Sequence, residues 1–321
     1  MKVLQTYTAK PFIKWVGGKG QLLSQLEAAL PRELYDEEFT YIEPFVGGGA
    51  MLFFMLQRFP NIRRAVINDI NCHLTNTYRI IKEQPRTLVD SLRCIEKDYI
   101  GISSEDLRKD FYLSIRKRFN EEQLSDVERA TLLIFLNRTC FNGLYRENSK
   151  GKFNVPFGRY ANPTICNEDV IYADSELLNR FEVEIINGDY RQTAQYIPTY
   201  GQTFFYFDPP YRPLSETSSF NTYVKEDFND ESQRELALFC RQLNFRANVK
   251  WMLSNADCSA KNPADTFFED IYDGFNIQRV WASRSVNSVA SKRGKLTELL
   301  ISNYDKEVEL TPQHQQLRYA L

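Results

Sequence analysis

The tetrad Asp208-Pro209-Pro210-Tyr211 is the part of the sequence whose residue types point most clearly to chemistry. It follows an aromatic run at 204–207 that predicts a buried strand. Proline holds φ at about −65° and has no N–H to donate, so the Asp208 carboxylate and the Asp208 and Pro209 carbonyl oxygens are acceptors on a stiff turn. With the aromatic face of Tyr211 beside them, they suit an exocyclic amino group on a planar base. The alternative is an ordinary proline-rich loop after a strand.

A glycine turn, Gly47 to Gly49, is the second candidate, between a predicted strand at 39–43 and a predicted helix from Ala50. Glycine allows positive φ and lets a ligand approach the main chain closely. Asp69 lies 22 residues after Gly47, at the end of the next predicted strand. In dinucleotide-binding folds an acid at this offset accepts hydrogen bonds from ribose hydroxyls. The pattern predicts an adenosine-containing ligand, and its alternative is a structural turn followed by an N-cap aspartate.

The same turn lacks the features of a phosphate site. Its spacing is not G-x-G-x-x-G, and no Lys-Ser or Lys-Thr pair follows the glycines. We expect Glu43, beside the turn, to repel a pyrophosphate. A cationic or zwitterionic nucleoside is therefore favoured over NAD or ATP, and S-adenosylmethionine matches that preference through its adenosine, sulfonium and amino-acid groups.

Composition removes several classes of protein. The two histidines, His73 and His314, stand 241 positions apart, so Ser-His-Asp, Cys-His and multi-histidine metal chemistry are not expected. The six cysteines are scattered with no C-x-x-C pair, which argues against a zinc ribbon and a disulfide framework. The formal charge of -2 is mild evidence against a non-specific nucleic-acid coat. No apolar run approaches the ~18 residues of a membrane span, so we expect no membrane partner and a cytoplasmic location.

Strand-like and helical runs alternate along the 321 residues, a length that corresponds to about two domains. Strands are predicted at 39–43, 65–67, 183–186, 204–207 and 249–253, with an antiparallel pair at 280–281 and 299–302. About 95 mostly helical residues interrupt this α/β pattern and include a predicted β-hairpin at 144–155. We therefore expect a first sheet-forming part, an inserted part and a second sheet-forming part, at 1–71, 72–165 and 166–321.

Several sequence blocks, in the family's order, carry a resemblance to the Dam-type DNA adenine N6-methyltransferases of the α motif order. They lie at 12–19, 43–50, 68–69, 138, 141–144, 153–160, 208–211 and 214–217, so the resemblance covers about residues 11–304. It implies a Rossmann-like S-adenosylmethionine-dependent methyltransferase sheet with helices on both faces. The inserted part is then a mainly helical target-recognition domain with a β-hairpin, and the two flanking parts form the catalytic domain.

The resemblance implies S-adenosylmethionine as methyl donor and S-adenosylhomocysteine as product. The matching cofactor positions are Trp15, Lys19, Phe45, Gly47, Gly49, Asp69, Asp189 and Asp208. For Asp189 a helix N-cap is an equally good interpretation. Catalysis is assigned to Asp208, Pro209, Pro210 and Tyr211, with the N6 hydrogens of a flipped-out adenine accepted by Asp208 and the Pro209 carbonyl. Neither a covalent nucleophile nor a metal is expected.

Double-stranded DNA is the partner that the resemblance implies, with GATC as its target. Residues 138–159 contain five Lys or Arg and one acid, a local net of +4, with aromatic residues interleaved. The predicted contacts there are Arg138, Phe141, Asn142, Leu144, Arg146 and Pro156. A second basic segment adds Arg284, Lys292, Arg293 and Lys295 with no acid among residues 284–295. The alternatives are a solvated basic hairpin and a surface loop between two edge strands.

Other functions stay open at this point. Methylation of adenine in RNA or of a glutamine amide is the main alternative, although such enzymes usually carry Asn in place of Asp208. A non-catalytic DNA-binding regulator of the same fold is a second, and another DNA target is a third. We expect a monomer or weak dimer, associated with the nucleoid of a bacterial or phage-infected cell.

Overall fold

The computed structural model describes residues 8–213, 228–283 and 295–305. Within these ranges seven strands form one mixed sheet in the order β3-β2-β1-β4-β5-β7-β6. The strands are β1 Phe39–Glu43, β2 Ile62–Asp69, β3 Glu184–Asn187, β4 Gln202–Phe207, β5 Val249–Ala256, β6 Asn276–Ser283 and β7 Lys295–Ser302. β1 to β5 pair in parallel, whereas β7 runs antiparallel to both β5 and β6. All the strands predicted from the sequence are present.

The helices of the described ranges begin before β1 and occupy most of the gap between β2 and β3. They are α1 Leu23–Ala29, α2 Glu33–Asp36, α3 Ala50–Arg58, α4 Cys72–Glu83, α5 Pro85–Ile100, α6 Glu105–Glu121, α7 Asp126–Thr139, α8 Glu168–Arg180, α9 Asp230–Leu243 and α10 Phe267–Ile271. Short 3₁₀ turns occur at Lys19–Gln21, Phe141–Gly143 and Tyr190–Tyr196. No helix among these residues is long and apolar enough to cross a membrane.

Both faces of the sheet are covered, which explains why its strands read as apolar runs rather than as alternating ones. Side chains of β4 show this, since Phe204 and Tyr206 belong to one core cluster while Phe205 and Phe207 belong to the other. All four are completely buried. Helices α3 to α8 contribute to the first cluster and α9 to the second. The predicted Rossmann-like arrangement of helices on both faces is confirmed.

The helical stretch after β2 begins with a well-capped helix that contacts the sheet. The Asn71 carboxamide accepts hydrogen bonds from the main-chain N–H groups of His73 and Leu74 at the start of α4. Further along α4, Arg79 donates to the carbonyl of Ile185 in β3, and Lys82 donates to the carbonyl of Val183, the residue before β3. The boundaries of the inserted part at 72 and 165 stay a prediction.

The predicted hairpin forms around a tight turn, although its arms pair at few positions. Gly151 N–H donates to the Asn148 carbonyl at 2.9 Å, and one antiparallel bridge joins Glu147 to Phe153. Helix α6 then holds the second arm, because the Asn120 carboxamide binds both the N–H and the carbonyl of Phe153. Tertiary contacts of this kind, more than the strand ladder, fix the position of the hairpin.

Candidate active site

The glycine turn after β1 is closed by the acid at the end of β2. Gly47 N–H donates to Asp69 Oδ2 at 3.0 Å, and the Gly47 carbonyl accepts from the hydroxyl of Tyr78 at 3.0 Å. Gly47 and Gly49 have φ of 49° and 78°, in the left-handed region that favours glycine. Asp69 Oδ1 also accepts from Asn71 N–H. The glycine turn and Asp69, which were predicted to serve one ligand, are thus in direct contact.

The turn is also packed too closely for larger residues. A Cβ on Gly49 would lie 2.4 Å from the Tyr78 hydroxyl, and one on Gly47 would lie 2.8 Å from the Trp15 ring. Trp15 stacks on its other side with Tyr145, with ring centroids 5.4 Å apart. Trp15 therefore lies between the glycine turn and the hairpin.

Asp208, at the end of β4, forms an ion pair with a buried lysine. Lys19 Nζ lies 2.8 Å from Asp208 Oδ1 and donates to the Gly17 carbonyl at 2.9 Å. Lys19 is only 3% exposed, and its ammonium lies 4.5 Å from the centre of the Tyr211 ring. Burial raises the pKa of the Asp208 carboxyl above its usual value, and the Lys19 charge opposes that rise. Residues predicted from two distant motifs therefore meet in one cluster.

Glu298 on β7 joins this cluster and was not predicted from the sequence. Its Oε2 accepts a hydrogen bond from the Tyr211 hydroxyl at 2.7 Å and lies 3.9 Å from Lys19 Nζ. The one feature of the sequence that could have indicated Glu298 as a site residue is its position just before the apolar run 299–301. Nothing local in that pattern indicates its partner.

Two buried side-chain amides form hydrogen bonds that hold the Asp208 turn, and neither was predicted from the sequence. Gln233, completely buried on α9, donates from Nε2 to the Pro210 carbonyl at 3.0 Å. Asn255, at the end of β5, donates to Gln233 Oε1 and accepts from Arg212 N–H. The Arg212 guanidinium is in turn paired with two aspartates, Asp230 and Asp265. Arg212, the residue after the tetrad, is therefore held at both its main chain and its side chain.

The structure also places Glu43, Asp189 and Phe45, three residues that the sequence analysis singled out. Glu43 is 1% exposed and accepts from the Tyr41 hydroxyl at 2.7 Å. Burial raises the pKa of Glu43 well above its usual value, so it is a weaker source of negative charge than expected. Asp189 caps the 3₁₀ turn at Arg191 and forms a two-bond ion pair with the Arg191 guanidinium. Phe45 packs against Tyr190, 5.2 Å between ring centroids.

Ile70, directly after Asp69, is a further feature that sequence reasoning missed. Its side chain is 77% exposed at the carboxyl edge of the parallel strands, where open α/β sheets bind ligands. An exposed apolar side chain beside an acid suits the flat face of a nucleoside base.

Four of the predicted DNA-contact residues of the inserted part, Phe141, Asn142, Leu144 and Pro156, lie close together. Phe141 N–H donates to the Pro156 carbonyl at 2.8 Å, so the two ends of the hairpin region meet, and the Phe141 side chain is 51% exposed. Asn142 has a left-handed φ of 56° and donates its N–H to the Tyr160 hydroxyl. Leu144 is half-buried beside them.

Two arginines that were predicted to contact DNA are already hydrogen-bonded within the protein. Arg146 donates from Nε to Asn154 Oδ1 at 2.8 Å across the hairpin. Arg138 donates to the Phe12 carbonyl, and its buried Nε has no partner among the described residues. Arg138 also lines a pocket of about 250 Å³ together with Lys14, Tyr160 and residues 162–164. Lys14 is thus a basic residue beside Arg138 that was not predicted to contact DNA.

The second basic segment cannot be placed in the same way. Arg284, Lys292 and Arg293 lie outside the described residues. Lys295 begins β7 opposite Ser283, so its main chain belongs to the antiparallel pair. Within the described ranges no three His, Cys, Asp or Glu side chains are grouped as a metal site would need.

The fold and the site together define a Rossmann-like methyltransferase: a parallel sheet with an antiparallel edge, a glycine turn and an Asp-Pro-Pro-Tyr turn at neighbouring strand ends. The family model described as D12 class N6 adenine-specific DNA methyltransferase matches residues 15–286. The chain belongs to this family and is an adenine-specific DNA methyltransferase, as the resemblance predicted.

Curated relatives extend over nearly the whole chain. A type II methyltransferase, M.MjaIII of Methanocaldococcus jannaschii, is 45% identical over 92% of this chain and 99% of its own length. M1.LlaDCHI of Lactococcus lactis subsp. cremoris is 39% identical over 92% of this chain and 95% of its own. The DNA adenine methylase of Escherichia coli is 31% identical over 91% and 94%.

Proposed function

We propose that this enzyme transfers the methyl group of S-adenosylmethionine to N6 of an adenine flipped out of double-stranded DNA, within GATC. The observation that carries this proposal is the contact of Lys19 with Asp208. This contact joins the segment that contains the predicted cofactor residues Trp15 and Lys19 to the Asp208 turn, which carries the acceptors for an amino group. Donor and target base would therefore meet at one point.

The residues present fit S-adenosylmethionine on their charge and shape. Asp208 and Glu298 lie 2.8 and 3.9 Å from the ammonium of Lys19, and a third carboxyl group, that of Asp69, binds the glycine turn at Gly47. Such an excess of carboxyl groups favours a ligand with a sulfonium and an ammonium over one with a pyrophosphate. The exposed Ile70 offers a surface for the adenine ring. We infer that Asp69 and Lys19 hold the nucleoside and amino-acid ends of the cofactor, with Trp15 and the glycine turn shaping its pocket.

The target base would enter beside Tyr211, whose ring is held by Glu298. Extrusion of a base from the duplex costs a few kcal/mol, which stacking and edge hydrogen bonds offset. A pre-oriented aromatic ring lowers that cost because it does not have to be ordered when the base arrives.

Asp208 and the Pro209 carbonyl oxygen accept the two N6 hydrogens and increase electron density on the nitrogen. When bound, the cofactor supplies an electrophilic methyl group, whose bond to sulfur breaks with the electron pair left on sulfur as S-adenosylhomocysteine. Asp208 holds one N6 proton as nitrogen acquires its new bond, which its raised pKa favours. Most of the acceleration would come from positioning of the two reactants.

Recognition of the sequence would rest on the surface formed by Phe141, Asn142, Leu144, Arg146 and Pro156. Arg146 suits the O6 and N7 acceptors of guanine, and its bond to Asn154 presents the guanidinium in one orientation. Phe141 is exposed and suited to wedge between bases. Arg138 and Lys14, around their pocket, would bind phosphate or a base edge.

The division into a catalytic domain, 1–71 with 166–321, and an inserted recognition domain, 72–165, belongs to this proposal. So do action as a monomer or weak dimer and association with the nucleoid.

The test uses tritiated S-adenosylmethionine with a duplex that contains GATC, a duplex with those four bases scrambled, and single-stranded DNA and RNA of the GATC sequence. Label incorporated into the GATC duplex alone supports the proposal. Label only in the scrambled duplex would retain the chemistry and remove the target, and label only in RNA would replace the substrate class.

A further inference from the structure

Asn137, on α7, has a carboxamide whose hydrogen bonds join two separate segments of the chain. The residue is 2% exposed. Its Oδ1 accepts from Lys14 N–H at 2.9 Å, and its Nδ2 donates to the Lys14 carbonyl at 2.8 Å and to the Gly143 carbonyl at 2.9 Å. Both N–H groups of the amide are therefore used.

The two segments lead to the two ligands of the proposed function. Lys14 is followed directly by Trp15 and lies five residues before Lys19, and both of these are predicted cofactor residues. Gly143 ends the 3₁₀ turn Phe141–Gly143, which presents predicted DNA contacts. One buried side chain thus holds the main chain of both regions.

The segments at Lys14 and at Gly143 are also in close packing contact. Gly143 has a φ of 64°, and a Cβ there would lie 2.5 Å from Lys14 Cδ. Trp15, next in the chain, contacts both the glycine turn and Tyr145 of the hairpin. A shift of the segment at Lys14 to Lys19 would therefore displace the hairpin as well.

We propose that Asn137 is a positioning residue that couples cofactor binding to DNA recognition. The proposal rests on the proposed function, since it takes one segment as cofactor-binding and the other as DNA-binding. Buried peptide groups cannot exchange their partner for water without loss, so the two segments move as a unit through the Asn137 amide. Ordering of either segment by its ligand then orders the other, and the coupling must be reciprocal.

The experiment measures the affinity of a fluorescent GATC duplex by anisotropy, with and without saturating S-adenosylhomocysteine. The ratio of the two dissociation constants is the coupling factor. We expect tighter DNA binding with the cofactor product in the natural protein, by about 5-fold or more, the lower end of typical allosteric couplings. Asn137→Ala is expected to bring the factor close to one. Titration of S-adenosylhomocysteine with and without duplex should return the same factor.

Asn120→Ala is the matched control. Asn120 also binds the N–H and carbonyl of one residue, Phe153, at 2.8 and 2.9 Å, and both of these bonds end on the hairpin. Its loss should weaken DNA binding and leave the coupling factor as in the natural protein. Asn137→Asp, isosteric and without the two N–H donors, replaces Asn137→Ala if that variant melts below the assay temperature, and the same loss of coupling is expected.

A coupling factor of one in the natural protein would overturn the proposal, as would its persistence in the folded Asn137 variants. Loss of coupling in Asn120→Ala as well would show general loosening and would also overturn it. A methylation assay on the natural protein separates the two proposals. Methyl transfer without coupling removes only the role of Asn137, whereas absence of transfer to DNA removes the proposed function on which it rests.

Discussion

The hydroxyl of Tyr211 donates a hydrogen bond to Glu298 Oε2 at 2.7 Å across 87 positions of sequence. The bond anchors the aromatic residue of the Asp208 turn to the antiparallel strand β7. Because Glu298 also lies 3.9 Å from Lys19 Nζ, the orientation of the ring and the charge around Asp208 depend on the same carboxylate.

Removal of the Tyr211 hydroxyl tests this anchor. Tyr211→Phe keeps the ring that is proposed to stack on the target base and loses the hydrogen bond to Glu298, so the ring should be less well oriented. A hydrogen bond to a charged group contributes about 1.5–3 kcal/mol, and we expect kcat to fall by about 10-fold or more with the cofactor affinity unchanged. Single-turnover kinetics check this. An equal loss in Tyr211→Phe and Tyr211→Ala would contradict a role for the ring itself.

Asp208→Ala removes the proposed carboxylate acceptor for the N6 hydrogen. Because positioned acceptors act on the reacting nitrogen, methyl transfer should fall by a factor on the order of 100 or more, by comparison with other preorganised hydrogen bonds. DNA binding should remain largely intact, since the predicted recognition surface lies on the hairpin. Tritium transfer and anisotropy measure the two properties on the same preparation. An active variant would refute the assignment.

The pH profile should respond in opposite directions to two substitutions. Burial raises the Asp208 pKa, the Lys19 charge lowers it and the Glu298 charge raises it. Since ionised Asp208 is the better acceptor, kcat should decline as pH falls through this raised pKa. Lys19→Met should move the acid limb to higher pH, and Glu298→Gln should move it to lower pH. Measurements at saturating cofactor separate these shifts from weaker binding, and shifts in one common direction would contradict the assignment.

Arg146→Ala should relax discrimination at one G·C pair of the target by about 1–3 kcal/mol. Asn154→Ala should give a smaller loss at the same pair, because it leaves the guanidinium present without its 2.8 Å bond. Methylation rates on duplexes with each single base-pair change provide the measurement. Uniform weakening on all duplexes would make Arg146 a phosphate contact instead.

Gly49 and Gly201 both have φ in the left-handed region, and a comparison of their alanine variants measures how crowded the glycine turn is. Gly49→Ala introduces a Cβ 2.4 Å from the Tyr78 hydroxyl, whereas Gly201→Ala, at a φ of 92°, has open space around it. Both should lose the ~1–2 kcal/mol of a left-handed residue with a Cβ. We expect a further loss only for Gly49→Ala, seen as a lower thermal midpoint, together with weaker binding of S-adenosylhomocysteine. Equal midpoints would show that the turn relaxes freely.

Features that restrict their own main chain could be predicted from the sequence. The prolines after Asp208 and the glycines after β1 identify their turns because each residue type limits φ locally, and the structure places both at the same sheet edge. The strands were found for a related reason, since burial on two faces demands continuous apolar runs. The charge of -2 was a poorer guide, because local basic segments are hidden in the sum.

Contacts between distant side chains could not be predicted in this way. Glu298, Gln233 and Asn137 are single polar residues in ordinary strand or helix sequence, and their partners lie 87, 23 and 123 positions away. Only the strand order, which brings β7 beside β5, and the packing of α9 against the Asp208 turn and of α7 against the segment at Lys14 decide which partner each one contacts. The sequence by itself determined which turns could hold a methyl donor and an amino group, because those depend on local stereochemistry. The tertiary structure decided which buried groups orient them, because a hydrogen bond requires proximity that no local pattern encodes.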